Sequence, residues 1–510
     1  MTVKKITPLR IVFENSMLQG TGRYNKQEHV PFSPQACKDF NLNYQKIKAQ
    51  FKIPEILLDI PSTLREYQKE DVDFLSKLKS AGCFNEQRTG KTPTSLTVFK
   101  LRKLTKVLIV CPASGIYNWQ EEYEKWYGDP CLIATGTKKQ RQKIYDQWTH
   151  GLVISYDTLK DTAVSQGDLD VILKCKPEGI IVDEIHRIGN RKTAQAKAIF
   201  RFKHVPNKLA LTGTLIESKA EKIYPVLHFL YPTLFTGYWR TAEYYFDISD
   251  RSFFNRHLGR IVNTKDVGDI KRTEELHYFL NNISTQRKRK EVMPWLPEKD
   301  KQDIKIPLTA LQSRYLQELK DYYETEDIIV KGDLDRLIRY RQICQAPQLL
   351  NLKGTSPKIE WIKDYLNDYP DESVLIFSKF SSFLKLLNEE LDVPIITGEV
   401  PKKTRHKIIK DFQAGKSNVL LLQIDTAKEN LTLDKATVII FADKFPPAGA
   451  IAQAEDRFVA TNKSKADKKH LIINLIMKDS YDEYLFDYVD KQMDEISIIN
   501  DYKKYMKGEL

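Results

Sequence analysis

The sequence predicts an α/β protein: two tandem lobes, each a parallel sheet covered by helices, with helical insertions between them and a small N-terminal accessory region. Three observations carry this. Short, almost continuous apolar runs recur, each closed by a polar, Gly or Pro break and followed by a longer helical pattern, which is how strands buried on both faces read. The runs fall into two sets parted by a different kind of sequence. The chain is 510 residues long, and a single core rarely grows beyond roughly 250 to 300 residues.

Taken in order, residues 1–60 form the accessory region, with one strand-like run at 9–13 and no recognisable chemistry. The first lobe covers 61–292, with strands expected at 107–111, 152–155, 179–182 and 209–211, and a helical insertion from about 223. Residues 293–350 are aromatic and charged at helical spacing, as in 311–323 and 334–344, and are expected to form an interlobe linker and helical protrusion. The second lobe covers 351–490, with strands expected at 374–377, 395–396, 419–423, 438–441 and 471–476, and 491–510 reads as a C-terminal helical tail.

Hydrophobic residues make up 41% and charged residues 29%, the balance of a chain that folds rather than a disordered one. Lys and Arg number 80 against 68 Asp and Glu, and a net charge of +12 favours a polyanionic partner. The six cysteines (Cys37, Cys83, Cys111, Cys131, Cys175, Cys344) are scattered without CxxC spacing or a His cluster, so neither a zinc site nor a disulfide framework is expected. No apolar run reaches the roughly 18 to 20 residues that span a bilayer. Residues 1–10 carry no signal-like segment, so the expected place is the cytoplasm, with no membrane partner.

Chemistry begins at 85–92 (NEQRTGKT), which ends in the Gly-Lys-Thr of a phosphate-binding loop. Backbone N–H groups of a tight loop at a helix N-terminus surround phosphates, Lys91 reaches the β and γ oxygens, and Thr92 holds magnesium. Asn85 stands where the full pattern has Gly; Asn tolerates positive φ better than most residues, which would make the exchange mild. About ninety residues on, 179–186 (GIIVDEIH) is an apolar strand closing in two carboxylates. Asp183 would complete the magnesium shell and Glu184 would polarise the water that attacks the γ-phosphate.

These motifs belong to an ordered series that resembles the Swi/Snf-type branch of the superfamily-two helicase-like ATPases, over about 64–483. The segment LREYQ at 64–68 looks like the family's adenine-reading element, with Gln68 as its glutamine; VLIVCPAS at 107–114, with YNWQEE at 117–122, and ISYDTL at 154–159 are similar to elements facing the DNA backbone. LALTGT at 209–214 resembles the element that couples hydrolysis to lobe movement, and FLYP at 229–232 a stretch typical of this branch. RKRK at 287–290, LIRYRQICQAPQ at 337–348, VLIFS at 374–378 and QAEDR at 453–457 complete the set.

The resemblance implies two RecA-like lobes, ATP and Mg2+ as cofactors, and DNA as partner, with double-stranded DNA favoured and branched or single-stranded DNA as alternatives. It implies ATP contacts from Arg65, Gln68, Thr89, Gly90, Lys91, Thr92 and Gln453, and catalysis by Lys91, Asp183, Glu184 and Arg457. It also implies coupling through Thr212, Gly213 and Thr214, and DNA contacts from Pro112, Ser114, Asn118, Ser155, Ser378, Lys379 and Thr426. Basic stretches suited to phosphate contact lie at 287–290, 402–410 and 463–469.

Three departures stand out: Arg88 and Asn430 occupy positions where the family usually has Gly, and Ala460 replaces a second arginine that acts on the γ-phosphate. Arg457, or Lys463 or Lys465, is expected to take over that charge. The function expected is a DNA translocase in replication or recombination, with replication or recombination proteins as possible partners. By analogy, the lack of chromatin-reader domains suggests a compact bacterial or bacteriophage form. A strand-separating or branch-migration helicase, and a DNA-binding scaffold whose ATPase has decayed, are the alternatives.

Overall fold

The computed structural model describes residues 3–13, 22–24, 27–49, 59–161, 167–213, 215, 220–255, 260–295, 299–322, 324–325, 328–330, 332–427, 433–445, 451, 454–455, 470–491 and 495–507. Two compact units divide between Val292 and Met293.

The first unit opens on four short antiparallel strands, β1 (Val3–Thr7), β2 (Arg10–Phe13), β3 (Gly22–Tyr24) and β4 (Gln27–Pro31), in the order β1-β2-β4-β3. Ile11, Phe13, Val30 and Phe32 join the large core of this unit, so the accessory region packs on the lobe that follows. Polar ties reinforce it: Arg272 pairs with Asp39 at 2.6 Å, and His29 bonds the Leu234 carbonyl at 3.0 Å.

Seven parallel strands form the first large sheet. They are β5 (Ser80–Cys83), β6 (Val107–Cys111), β7 (Cys131–Ile133), β8 (Gly151–Ser155), β9 (Gly179–Val182) and β10 (Asn207–Leu211), and, after a hairpin of β11 (Phe246–Asn255) and β12 (Arg260–Ile270), β13 (Ser284–Thr285). The order is β13-β5-β10-β9-β6-β8-β7. β6, β8 and β9 are buried along their whole length, as uninterrupted apolar strands under two helical layers must be.

The second unit holds β14 (Lys299–Ile306), the short pair β15 (Glu324–Thr325) and β16 (Ile328–Ile329), and then β17 (Val374–Ser378), β18 (Ile395–Ile396), β19 (Val419–Gln423), β20 (Val438–Phe441) and β21 (His470–Met477). Six of these make a parallel sheet in the order β14-β21-β20-β17-β19-β18. The last helix, Glu495–Lys507, packs Ile498, Tyr502 and Met506 into this unit's core.

Two expectations are corrected. The insertion after 223 contains helices at Ile223–Leu230, Tyr238–Tyr245 and Thr273–Ile283, but also the β11–β12 hairpin, where helices alone were expected. The stretch 293–350, expected as an interlobe linker, belongs to the second unit: β14 pairs with β21 from Lys299 to Ile306, and the helices Ala310–Tyr322 and Asp333–Gln345 sit in its core.

All six cysteines are free, and five of them are buried, with Cys175 the partly exposed one.

Candidate active site

In a parallel sheet the loops leaving the carboxyl ends of the strands gather at one edge, where ligands bind. Here β5, β10 and β9 are neighbours in that order, so the phosphate loop, the Thr212-Gly213 turn and the Asp183-Glu184 pair lie side by side at roughly 5 Å per strand. Next along the edge come β6 and β8, whose ends carry Pro112, Ser114 and Ser155, with Asn118 on the following helix Ile116–Tyr127.

The phosphate loop connects β5 to the helix Lys91–Leu101. Gly90 caps that helix at φ 80°, where any other residue is strained, and a Cβ there would displace Gln68 Nε2, 2.0 Å away. Arg88 sits at φ 63°, in the left-handed region. That conformation is one glycine adopts without steric penalty, and for Arg88 it costs about 1–2 kcal/mol. Asn85 corrects the expectation made for it: its φ is not positive, and its side-chain amide donates instead to Asp71 at 2.7 Å.

Asp71 is the hub of a brace. Arg287 Nε donates to its other oxygen at 2.9 Å, Arg287 NH2 reaches Glu70 at 2.9 Å, and the Arg287 carbonyl accepts from Glu86 N at 2.9 Å. Burial raises the Asp71 carboxyl, while Asn85 and Arg287 oppose that. Arg287, expected to meet DNA phosphate, is engaged with Asp71, Glu70 and the phosphate loop.

Gln68 and Tyr67 grip the same loop from the helix Glu66–Ser76. Tyr67 OH donates to the Thr89 carbonyl at 2.9 Å and Gln68 Nε2 donates to it at 3.1 Å, while Gln68 Oε1 accepts from Arg65 N at 2.9 Å. Lys91 Nζ lies back on the loop, donating to the Asn85 and Glu86 carbonyls at 3.0 and 3.1 Å. Entering phosphate oxygens, carrying full charge, compete for those donors with an advantage over neutral carbonyls.

Asp183 is nearly buried, and both of its oxygens are oriented: Trp119 Nε1 donates to one at 2.9 Å and Glu184 N to the other at 3.0 Å. Tyr156 OH donates to the Asp183 carbonyl at 2.7 Å, and burial holds that phenol far above its ordinary pKa. Glu184 stands at φ 51° with Oε2 3.2 Å from His186 Nδ1, which also lies 3.0 Å from Thr212 Oγ1. A chain of contacts therefore runs from the candidate base through His186 to the coupling threonine. Gly213 continues it, since a Cβ there would meet Gln87 Cγ of the phosphate loop at 2.8 Å.

This donor set suits magnesium carried by a nucleotide. Mg2+ binds through one or two carboxylates plus phosphate oxygens rather than in a protein cage. Asp183 supplies the carboxylate, the Thr92 hydroxyl makes no hydrogen bond among the described residues, and no cage of three or more acidic, His or Cys side chains occurs among them.

Several candidates have other employment. Ser155 is a helix cap whose Oγ accepts from Thr158 N at 3.1 Å. Ser378, expected at a DNA backbone, is fully buried and donates to Asp443 at 2.6 Å, and Asp443 also takes Arg341 at 2.8 Å. Thr426 is buried and donates to the Gln423 carbonyl at 2.7 Å, so neither hydroxyl reaches a ligand without rearrangement. Lys379 pairs with Asp425 at 2.8 Å, and in the helix Lys402–Gln413 Arg405 bonds the Gly398 and Val400 carbonyls while Lys403, Lys407 and Lys410 face solvent. Thr214, Asn430, Gln453, Arg457, Ala460, Lys463 and Lys465, with the basic stretch 463–469, lie outside the described residues. Sequence reasoning did not single out Tyr67, Asp71 or Asp443. Tyr67 adjoins the glutamine that was named, but the other two are carboxylates whose only signal is their fold neighbours.

Comparison with known proteins gives the family. The family model described as the SNF2-related domain matches residues 16–349, and that of the helicase conserved C-terminal domain matches 357–460. The chromatin-remodeling ATPase INO80 of Aspergillus terreus is 27% identical over 380 residues, 67% of this chain and 21% of that protein. The DNA annealing helicase and endonuclease ZRANB3 of Bos taurus is 24% identical over 81% of this chain and 39% of that protein. The nuclear protein STH1/NPS1 of Saccharomyces cerevisiae is 24% identical over 87% of this chain and 35% of that protein. The chain thus spans between about a fifth and two fifths of the length of these relatives. A solved structure, the Sulfolobus solfataricus SWI2/SNF2 ATPase core in complex with dsDNA, is similar at 23% identity and a TM-score of 0.40, covering 90% of this chain and 96% of that one.

Proposed function

This chain belongs to the Swi/Snf-type branch of the superfamily-two helicase-like ATPases, and from that premise we propose that it hydrolyses ATP to drive movement along double-stranded DNA. The observation that carries the reading is the shared edge of β5, β10 and β9, where a phosphate loop, an oriented acidic pair and a coupling threonine adjoin.

In this reading Lys91 exchanges its two loop carbonyls for the β and γ oxygens, neutralising charge that grows as the γ-phosphoryl leaves. Thr92 and Asp183 would hold Mg2+, which would supply Lewis-acid polarisation of the phosphate when bound. Trp119 and the Glu184 amide keep the Asp183 carboxylate turned to that task. Glu184 accepts a proton from the attacking water, and its contact with His186, which in turn meets Thr212, passes the change of charge to the turn after β10. Arg457, or Lys463 or Lys465, takes over in this reading the charge of the arginine missing at 460.

In this reading the loops after β6 and β8 of the first unit contact the DNA backbone, and the second unit offers phosphate contacts of its own at Lys403, Lys407 and Lys410. A backbone-reading surface of this kind has no sequence preference. We propose a role in replication or recombination, a reading supported by the similarity to a DNA annealing helicase and endonuclease over 81% of this chain; the bacterial or bacteriophage setting rests on analogy alone.

Phosphate release measured with single-stranded, duplex and branched DNA tests this directly. Duplex should stimulate turnover, and Lys91→Ala should abolish the stimulation. Movement without strand separation should displace the third strand of a triplex and leave a forked duplex intact. Fork unwinding without triplex displacement would make the protein a strand-separating helicase, and DNA binding without phosphate release would make it a scaffold.

A further inference from the structure

A groove of about 830 Å3 opens in the first unit, away from the phosphate loop. Its walls are the residues just past the acidic pair (Arg191, Lys192), the helical turn after β10 (Lys222), the start of the helix Tyr238–Tyr245, and Lys265 of β12. Four cations line it against the two carboxylates Glu221 and Asp250. Lys192 is exposed and has no ion-pair partner among the described residues.

The aromatic pair is the unusual part. Tyr238 is fixed: its hydroxyl donates to Glu221, and the Arg191 guanidinium lies 3.9 Å from its ring centroid. Trp239 packs edge-on against Tyr238 at 4.9 Å and 70° yet stays 41% exposed. Lys265 stands 5.8 Å from the Trp239 ring and is tethered to Glu243 at 2.9 Å. An indole left in water beside fixed cations is a stacking platform with phosphate contacts at its rim, the combination that binds single strands without regard to sequence.

We propose that this groove binds an unpaired nucleotide of single-stranded DNA, its base stacked on Trp239 and its phosphates held by Arg191, Lys192 and Lys222. Duplex DNA does not suit the site, because bases inside a duplex have both faces covered by their neighbours. The volume falls within the range of about 300–1,000 Å3 typical of ligand pockets. Occupancy bears on hydrolysis, since Gly189 to Lys192 follow Glu184 within one short turn and Glu221 and Lys222 follow Thr212 and Gly213. A Cβ at Gly189 would lie 3.0 Å from the His186 carbonyl and 3.3 Å from Lys222 Cβ, so the two loops touch at the groove floor. The proposal rests on the DNA-motor reading above and adds a second class of DNA structure, an unpaired strand beside a duplex track.

The test uses the full chain and fluorescence anisotropy with an oligothymidine, an abasic strand of equal length and a blunt duplex at one salt concentration. Trp239→Ala should weaken oligothymidine binding about tenfold, Trp239→Phe should retain most of it, and neither should alter duplex affinity or duplex-stimulated phosphate release. The abasic strand should bind wild type and Trp239→Ala alike. Equal loss on duplex and oligothymidine, or no loss on oligothymidine, overturns the proposal. So does loss confined to a polyglutamate peptide, which would assign the groove to an acidic protein segment. A chain with neither DNA binding nor DNA-stimulated phosphate release fails as a motor, whereas a duplex-stimulated chain indifferent to Trp239 fails only at this groove.

Discussion

Asn85 and Arg88 occupy two usual glycine positions and meet them in different ways. Arg88 takes a left-handed backbone and bears its strain, while Asn85 does not and makes a side-chain bond to Asp71 instead. Sequence alone shows that both glycines are missing and cannot show which backbone survives, because the answer depends on a carboxylate fourteen residues upstream. Glu275 is a second residue whose state its surroundings decide. Its side chain is fully buried, and burial raises its pKa to about 7 against the opposing pull of Arg272 and Tyr244. A carboxyl raised in the folded state binds more protons there than when unfolded, so its contribution is complete below about pH 4.5 and is lost as pH rises towards 7. The span corresponds to about 3 kcal/mol. Glu275→Gln should remove that slope, seen as a smaller fall in unfolding temperature between pH 5 and 7 than the wild type shows.

The brace formed by Asp71, Asn85 and Arg287 ties the phosphate loop to the segment that follows β13. Asp71→Ala leaves Asn85 and Arg287 without their partner, and the loss of a buried acceptor for two donors should cost about 2–3 kcal/mol. Thermal unfolding should show the first transition lowered, and the KM for ATP should rise. Glu70→Ala is the control, because Glu70 is 65% exposed and such a pair contributes under about 1 kcal/mol. Elements were legible where burial is two-sided. β6, β9, β19 and β20 stand where apolar runs announce them, whereas β5 is small and weakly apolar (SAGC) and β14 is charged (KDKQDIKI). β14 has one neighbour and lies at a sheet edge, so it needs no apolar run, and its charges discourage further pairing. The hairpin β11–β12 has no sheet to join, which leaves its residues mixed and its pattern faint.

For the whole molecule, the ordered motif series revealed two sheets and the chemistry of the first, because phosphate loops and acidic strand ends demand particular residue types at particular places. Ligand roles carried by hydroxyls were less legible: Ser378 and Thr426 match the pattern yet serve the interior of the second unit. A serine has the same letter whether its hydroxyl faces phosphate or a buried aspartate. If Arg457 supplies the missing charge, Arg457→Ala should lower phosphate release more than tenfold while leaving duplex affinity in place, and near-normal turnover would reject its role. The buried thiols have a practical consequence. Burial raises Cys83 to about 11 and pushes the Cys131 and Cys344 thiols up further, which starves them of the reactive thiolate. Maleimide dyes would meet chiefly Cys175 on the native chain, so replacing that residue with serine yields a background on which one engineered surface cysteine per unit can test, by energy transfer, whether their separation changes during turnover.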